Sequence, residues 1–313
     1  MSIITDFGHG IYMLDALYVK PDIASIYLIQ QKDSVVIVET GTSHSVERIK
    51  AALDEIGLKF KDVSYIIPTH VHLDHAGGAG ELMRLCKNAN LIIHPKGARH
   101  MVDPNKLIAG TIEVYGEQKF KLLYGRVVPI EKHRVIEAAD SFILNINGRI
   151  LKFLDTPGHA RHHFCVWDEE SKTMFTGDTF GVSYREFDTK DNILVFPTTT
   201  PVQFEPDKLL SSIDLIMSYK PDNIALTHFS MIKPEKKVVK QLKDGVMHMS
   251  SIAKEQFGQA DSKEKIKQKI SSYLLGQLDA GKDKNFCLEK LENDLELNAQ
   301  GLMVWMAHQQ GSH

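Results

Sequence analysis

Cysteine is scarce in this sequence, whose 313 residues include only three. The cysteines are odd in number, widely spaced and outside any Cys-x-x-Cys pair: Cys86, Cys165 and Cys287. This pattern predicts neither a disulfide framework nor a structural zinc site built from thiolates. It favours a reducing compartment, and we therefore expect a cytoplasmic protein.

Long apolar runs and an excess of charge of one sign are also missing. Runs such as Val35–Val38 are far shorter than the roughly 20 residues of a membrane span. The segment Met1–Asp6 lacks the basic and apolar regions of a secretory signal. The formal net charge of −3 provides no basic surface for nucleic acid or for a membrane. We therefore expect a small-molecule substrate, with neither nucleic acid nor membrane as a partner.

Hydrophobic residues make up 43% of the chain and recur along it, which is typical of a globular protein with a large core. Between about residues 26 and 226, short β-branched runs alternate with helical spacing, and this alternation predicts an α/β fold. Residues 95–140 combine prolines with scattered aromatic residues, and we interpret them as an irregular insertion or lid. Beyond 232, helical spacing predicts a helical C-terminal region over 232–313, after a main domain over 1–231.

The patterns also predict individual elements. The predicted strands cover residues 25–29, 34–39, 63–67, 90–93, 150–154, 164–167, 173–175 and 223–226. The predicted helices cover residues 41–56, 81–87 and 206–219. In the C-terminal region, apolar residues lie four positions apart at Val238, Leu242 and Val246, and again at Ile266, Ile270 and Leu274. Each of these two series predicts one buried helix face.

Four side chains that can bind metal lie within six positions, directly after the strand predicted to end before Pro68: His70, His72, Asp74 and His75. Imidazole and carboxylate are the usual ligands of zinc, iron and manganese where thiolates are absent. In an extended loop, His70 and His72 point the same way and can meet one ion. Asp74 and His75 follow as the chain turns into Gly77 and Gly78, and they can face a second ion.

Three more predicted strands are followed by a residue of the same chemistry. His159 comes after the strand that ends near Asp155, Asp178 after the strand of residues 173–175, and His228 after the last strand. The carboxyl ends of strands are where α/β sheets collect their functional sites. Because four strand ends each carry a residue that can bind metal, we predict that these residues form one site.

These residues resemble the metallo-β-lactamase fold superfamily, whose mark is His-x-His-x-Asp-His followed by single His, Asp and His ligands. The resemblance covers about residues 10–230. It implies an α/β fold, namely a four-layer αββα sandwich with the site at one edge of its two sheets, followed here by a C-terminal helical appendage. It also implies the ligand sets: His70, His72 and His159 for a first ion, Asp74, His75 and His228 for a second, and Asp178 as a bridge.

The resemblance implies a hydrolase with two divalent metal ions, zinc in the first place, with iron or manganese as alternatives. Such a centre makes a metal-bridging hydroxide available at neutral pH and polarises the substrate's carbonyl or phosphoryl oxygen. Asp74 would also have a catalytic role, by orienting the water or passing its proton to the leaving group. Thioesterases similar to glyoxalase II carry a helical domain after the last histidine ligand, as this chain does. We therefore expect an ester, a thioester or a lactone as substrate.

Two other functional classes are compatible with the same residues. A di-iron oxidoreductase acting on O₂, NO or a persulfide would use the same scaffold, although flavodiiron relatives typically have glutamate at the position of His72. A signalling protein would retain its metal and bind a partner through the C-terminal helices. Those helices could also pair two copies of the chain into a homodimer.

For the remaining histidines, the sequence supports only weaker predictions of their location. His163 is at a position that resembles one often occupied by histidine in relatives, and it either lines the site or packs in the core. We expect His162 to be exposed. We favour an incidental role over a place in the pocket for His94, His100 and His133. We expect the surface to hold four others: His9, His44, His248 and His308. Near Asp178, Tyr184, Arg185 and Phe187 either contact substrate or form an ordinary packed loop.

Overall fold

The computed structural model describes residues 2–190, 192–199, 203–278 and 282–311. The chain divides into two compact units. The first comprises Met1–Asp155, His162–Gly177 and Asp222–Ile232, and the second comprises Thr156–Arg161, Asp178–Pro221 and Lys233–His313. In the described residues, no helix combines the length and the apolar character that crossing a bilayer requires.

The first unit contains a seven-stranded sheet whose strand order follows the chain. Its strands are β1 Ile4–Asp6, β2 Ile11–Asp15, β3 Ser25–Gln31, β4 Ser34–Val38, β5 Val63–Ile67, β6 Asn90–Ile93 and β7 Val135–Glu137. Strands β1 to β4 pair in antiparallel fashion, and β4 to β7 pair in parallel. The β-branched sequence of β4, which is buried at four of its five positions, is typical of a strand covered on both faces.

Six helices accompany this sheet in the described part of the first unit. They are α1 Val46–Glu55, α2 Leu73–Ala76, α3 Ala79–Leu85, α4 Pro95–Val102, α5 Asn105–Tyr115 and α6 Glu117–Tyr124. Helix α1 buries Ile49 and Leu53 in the core that also holds Leu82 of α3 and the apolar side chains of β3 to β6. The helical spacing predicted before Gly57 is therefore the face that covers the sheet.

Residues 95–124 are largely helical, which differs from the irregular segment that the prolines suggested. Pro95 occupies the first turn of α4, where its missing N–H is not needed, and His94 caps the same end. Pro104 precedes α5, and Gly116 separates α5 from α6 with a φ of +79°. The helix breakers lie at the ends of three short helices, so they delimit regular structure instead of preventing it.

A six-stranded sheet completes the first unit, in the order β13-β12-β11-β10-β9-β8. Its strands are β8 Ile143–Ile146, β9 Arg149–Asp155, β10 Phe164–Asp168, β11 Thr173–Gly177, β12 Asn223–Leu226 and β13 Ser230–Ile232. The two sheets face each other where the rings of Tyr27 and Phe175 lie 5.4 Å apart and the Tyr27 hydroxyl donates to the carbonyl of Leu226 at 2.6 Å. Two mixed sheets with helices beside them confirm the predicted α/β sandwich.

The second unit is helical in its described part. It holds α7 Pro206–Ser218, α8 Lys236–Gln256, α9 Ser262–Gln277 and α10 Lys284–Gln310. Both apolar series that predicted these helices are buried, one in α8 and the other in α9. The predicted C-terminal region also includes residues 279–281 and 312–313, which lie outside the described residues. The domain division at residue 231 stays a prediction.

Candidate metal centre

The ligand loop is formed where β5 ends. Pro68 stops the strand, and the chain passes through His70 to His72, which precedes the first residue of α2. The following turn can approach neighbouring backbone closely because it is built from glycine. A Cβ at Gly78 would lie 2.7 Å from the carbonyl oxygen of Thr40, closer than real contacts permit. The glycine pair therefore lets the ligand loop settle against the end of β4.

Three predicted ligands of the second ion lie together in the first unit. His228 Nε2 lies 3.4 Å from Asp74 Oδ2, and His75 Nε2 lies 3.8 Å from the same oxygen. One ligand atom from each residue is within 4.8 Å of the others. Nitrogen and oxygen ligands at about 2.0–2.2 Å from one ion are themselves about 3–4 Å apart, so this donor set fits a single divalent ion.

Hydrogen bonds fix which ring nitrogen of each histidine faces the centre. His228 Nδ1 lies 2.8 Å from the carbonyl oxygen of Ile23, and His75 Nδ1 lies 3.0 Å from a carboxylate oxygen of Glu39. Because a carbonyl and a carboxylate only accept, Nδ1 carries the proton in both rings. Nε2 then keeps its lone pair for a metal, which is the usual arrangement of histidine ligands in metalloproteins.

Glu39 is the functional residue that sequence reasoning missed. It is buried, with 1% of its surface exposed, directly after β4. Its carboxylate accepts from the Thr69 amide at 3.2 Å, from the Thr69 hydroxyl at 2.6 Å and from the Thr227 hydroxyl at 2.9 Å, besides His75. These donors offset the cost of burying a carboxylate. Its signal was a carboxylate at a strand's carboxyl end, the same kind of signal that identified the predicted ligands.

His70 and His72 converge beside this group. His70 Nε2 and His72 Nδ1 are 2.8 Å apart, and the rings of His70 and His75 are 4.1 Å apart between centroids. His70 Nδ1 lies 3.1 Å from the Thr69 hydroxyl. Since that hydroxyl donates to Glu39, it accepts from His70 Nδ1, which leaves the His70 Nε2 lone pair for a metal. The first unit thus brings together five predicted ligands: His70, His72, Asp74, His75 and His228.

The second unit brings together the other two predicted ligands. His159 Nε2 lies 3.4 Å from Asp178 Oδ2, and both side chains are buried. The backbone before His159 requires glycine at position 158. Gly158 has a φ of +133°, and a Cβ there would collide with the backbone of Leu209. An imidazole nitrogen beside a buried carboxylate oxygen is again a donor pair that suits a divalent ion.

The prediction that His162 is exposed is wrong. His162 is buried, and its ring centroid lies 5.9 Å from that of His72. His163 is fully buried, 5.0 Å from His70 between ring centroids. The chain enters β10 beside the ligand loop, where the Phe164 amide donates to the Thr69 carbonyl at 3.1 Å, and this contact buries both histidines. Sequence could not show it, because it joins residues about 95 positions apart.

The other histidines mostly follow expectation. The four histidines that were predicted to lie on the surface are exposed, and so is His133. His94 is buried and pairs with Asp155 at 3.1 Å, and His100 is half-buried with its ring 6.5 Å from His162. In the second unit, Tyr184 is buried and its hydroxyl donates to Asp294 at 3.1 Å, which indicates a packed loop.

The structure is an α/β sandwich with a candidate metal site, and comparison with known proteins identifies its family. The chain matches the model of the Metallo-beta-lactamase superfamily over residues 19–228, about two thirds of its length. It belongs to that superfamily.

Among curated proteins, the chain is similar to the metallo-beta-lactamase fold-containing protein ST1585 of Sulfurisphaera tokodaii. The two are 26% identical over 219 residues, which cover 69% of this chain and 76% of the relative. The solved structure of ST1585 aligns with a TM-score of 0.67 at 24% identity and covers 94% of this chain and 98% of that one. This likeness shows the fold alone.

Two relatives have names that state an activity. The acyl-coenzyme A thioesterase MBLAC2 of Bos taurus is 24% identical over 187 residues, or 55% of this chain and 63% of the relative. The N-acyl homoserine lactonase of Bacillus cereus is 26% identical over 223 residues, or 62% of this chain and 77% of the relative. Both names describe hydrolysis at an acyl carbon.

Proposed function

We propose that this protein is a dinuclear metal-dependent hydrolase that cleaves an ester, a thioester or a lactone of a small molecule. The proposed ligands of the first ion are His70, His72 and His159, and those of the second are Asp74, His75 and His228. Asp178 is the proposed bridge between the ions. Zinc is the proposed metal, with iron or manganese as the alternatives that the same donor set accepts.

The observation that carries the proposal is the group of Asp74, His75 and His228. Its two imidazoles already present Nε2 with the proton fixed on Nδ1, so little reorganisation is needed to bind a cation. Short connections along the chain support including Asp178 and His159 among the proposed ligands. Asp178 is bonded to the last residue of β11, and His159 follows the end of β9 by four residues, a span of at most about 14 Å.

A bound pair of divalent ions would lower the pKa of water and polarise a carbonyl oxygen, which supplies a nucleophile without serine or cysteine. Asp74 has the position for proton transfer in that reaction. Its side chain is 22% exposed, whereas the His75 side chain beside it is fully buried. A carboxylate that reaches both the ligands and solvent can hold a proton from the attacking water and deliver it to the leaving group.

The names of two relatives support an acyl substrate, since a thioester and a lactone both present an electrophilic carbonyl carbon. We also propose that the protein works in the cytoplasm, where its three buried cysteines would stay reduced. A small-molecule substrate agrees with the absence of charge excess in the sequence.

The test combines metal analysis with a substrate panel. Protein purified without chelators and without a metal-binding tag is analysed for metal per chain, and then assayed on thioesters, esters, lactones, phosphodiesters and β-lactams. We expect about two ions per chain and turnover confined to the acyl substrates. His72→Ala and Asp178→Ala should each lose metal and nearly all turnover, while circular dichroism shows a folded protein. His248→Ala, a change at an exposed histidine of α8, is the matched control and should lose neither.

Other outcomes contradict the proposal. Two irons per chain, no hydrolysis and an absorbance change on exposure to O₂ would replace it with redox chemistry. Full metal content in His72→Ala would show that the ligand assignment is wrong. A protein that binds no metal under any loading condition would also contradict the proposed function.

A further inference from the structure

A small apolar cluster adjoins the candidate metal centre and is separate from the main core. Its buried residues are Leu73, Phe120 and Tyr124, and Leu73 stands in the chain between two of the proposed ligands. Tyr18 and Tyr115 pack against it and are half-buried, and Tyr18 also packs against the main core. The cluster therefore begins at the ligand loop and continues onto helices α5 and α6.

Three tyrosines form the polar end of this cluster. The Tyr18 hydroxyl donates to the Tyr124 hydroxyl at 3.2 Å, and their rings stack 6.0 Å apart. The ring of Tyr115 meets that of Tyr124 at 6.2 Å. Burial raises the pKa of all three phenols, and the negative charge of the Asp74 carboxylate raises it further. These neutral hydroxyls belong to the cluster that contains Leu73, the residue between the proposed ligands His72 and Asp74.

The apolar end is a helix face that stays partly open. Helix α5 has hydrophobic residues at Ile108, Ile112 and Tyr115, a spacing that places them on one stripe. This stripe packs against the cluster, yet no residue of α5 is buried. Seven residues of helix rise by about 10 Å, so the stripe runs about 10 Å from Tyr115. An amphipathic helix normally buries such a stripe, and here part of it remains available to an apolar ligand.

We propose that this wall, defined as Tyr18, Tyr115, Ile108 and Ile112 with the buried Tyr124 behind it, binds the acyl chain of the substrate, so that the substrate is an ester, thioester or lactone of a linear aliphatic acid. The inference rests on the proposed hydrolase function and names its substrate class. Such a substrate has a polar carbonyl end and an apolar tail. The wall has tyrosine hydroxyls at one end and a partly exposed apolar stripe at the other, and it is continuous with the ligand loop through Leu73.

The test measures binding separately from turnover. Butanoic, hexanoic, octanoic and decanoic acids are titrated calorimetrically into the metal-containing protein, and the 4-nitrophenyl esters of the same acids are assayed for hydrolysis. Full burial of a methylene is worth about 0.8 kcal/mol, and a one-sided wall covers about half of it. We therefore expect Kd to fall about four-fold for each added pair of methylenes.

Variants on one helix locate the effect. Ile112→Ser should weaken octanoate binding about five-fold and leave butanoate unchanged. Ile112→Trp, which fills the stripe without removing apolar surface, should exclude decanoate and still admit butanoate. Val114→Ser is the matched control, since Val114 is 57% exposed and lies about 200° around the helix from Ile112. It should match the wild type throughout.

The outcomes separate this inference from the proposed function. Turnover of the esters with a Kd independent of chain length would overturn the acyl wall and leave the hydrolase intact. Chain-length-dependent binding with no turnover would keep the wall and overturn hydrolysis. If Ile112→Ser changes the sedimenting mass of the protein and not the chain-length dependence, this face joins copies of the chain and the proposal is wrong.

Discussion

Glu39 orients two of the proposed ligands at once. Its carboxylate accepts the Nδ1 proton of His75 directly, and through the Thr69 hydroxyl it determines which nitrogen of His70 carries a proton. Thr227, one residue before His228, donates to the same oxygen. A buried acceptor of this kind links the ends of β5 and β12 and holds His70 and His75 in the tautomer and orientation that a cation requires.

Replacing Glu39 by glutamine should weaken metal binding while leaving every proposed ligand in place. The amide can still accept at its oxygen, but it lacks the charge that makes the imidazoles better ligands, so we expect affinity to fall 10- to 100-fold. Competition with a chromogenic chelator measures the change. Glu81→Gln on α3, which disrupts only a surface pair with Arg84, is the control. Equal affinities in both variants would contradict the role of Glu39.

At the scale of elements, α9 and α10 join through an apolar seam and an ionic border. Ile266 and Ile270 are buried in α9, and Leu291 is buried in α10. Along the border, Glu296 accepts from Lys263 at 2.7 Å. The seam supplies most of the stability, because partly exposed ion pairs contribute little.

The Glu296 contacts make part of this pairing sensitive to acid. Hydrogen bonds from Lys263 and then Gln300 lower the pKa of Glu296 from 4.5 to about 2. A carboxylate whose pKa is lower in the folded state stabilises the fold above its unfolded pKa and loses that effect as pH falls through the folded value. Between about pH 4.5 and pH 2, the melting temperature of the wild type should therefore fall more than that of Glu296→Gln.

Thermal unfolding at a series of pH values provides the measurement for Glu296. Because the remaining carboxylates titrate alike in both proteins, the difference between the two curves isolates this one group. Glu289→Gln, at an exposed position of the same helix, is the control and should follow the wild type. Parallel curves for wild type and Glu296→Gln would show that these contacts carry no stability.

Over the whole molecule, the proposed ligands are spread from residue 70 to residue 228, so the proposed site requires the folded chain. A metal that binds the native state and not the unfolded chain stabilises the fold by mass action, by about 4 kcal/mol at a thousand times its dissociation constant. The proposed ligand set would therefore couple metal content to global stability as well as to the proposed catalysis.

Chelation should lower the melting temperature of the metal-containing protein by roughly 5–10 °C. Differential scanning calorimetry with and without EDTA measures the shift, and added zinc should restore it. His72→Ala should show a smaller response, since it lacks one proposed ligand. A protein that loses its metal to EDTA without any change in melting temperature would contradict this coupling.

The sequence was most informative where strands are apolar and bounded by breakers. The strands predicted at 63–67, 90–93 and 223–226 have the predicted limits. Strands β1, β8 and β13 were not predicted, because their residues are only partly buried and they lack a continuous apolar run. Residues 95–124 were misread because their prolines were weighed without the helix ends that they occupy.

The sequence by itself determined the α/β class and the type of residue at each proposed ligand position. Strand periodicity and ligand spacing are properties of a few neighbouring residues, so they can be read without the tertiary structure. Only the tertiary structure decided that Glu39 joins His75, Thr69 and Thr227, that His162 is buried, and that an open stripe of α5 adjoins the ligand loop. These contacts join segments 30 to 190 residues apart, and burial and hydrogen bonding at that range depend on how the sheets pack.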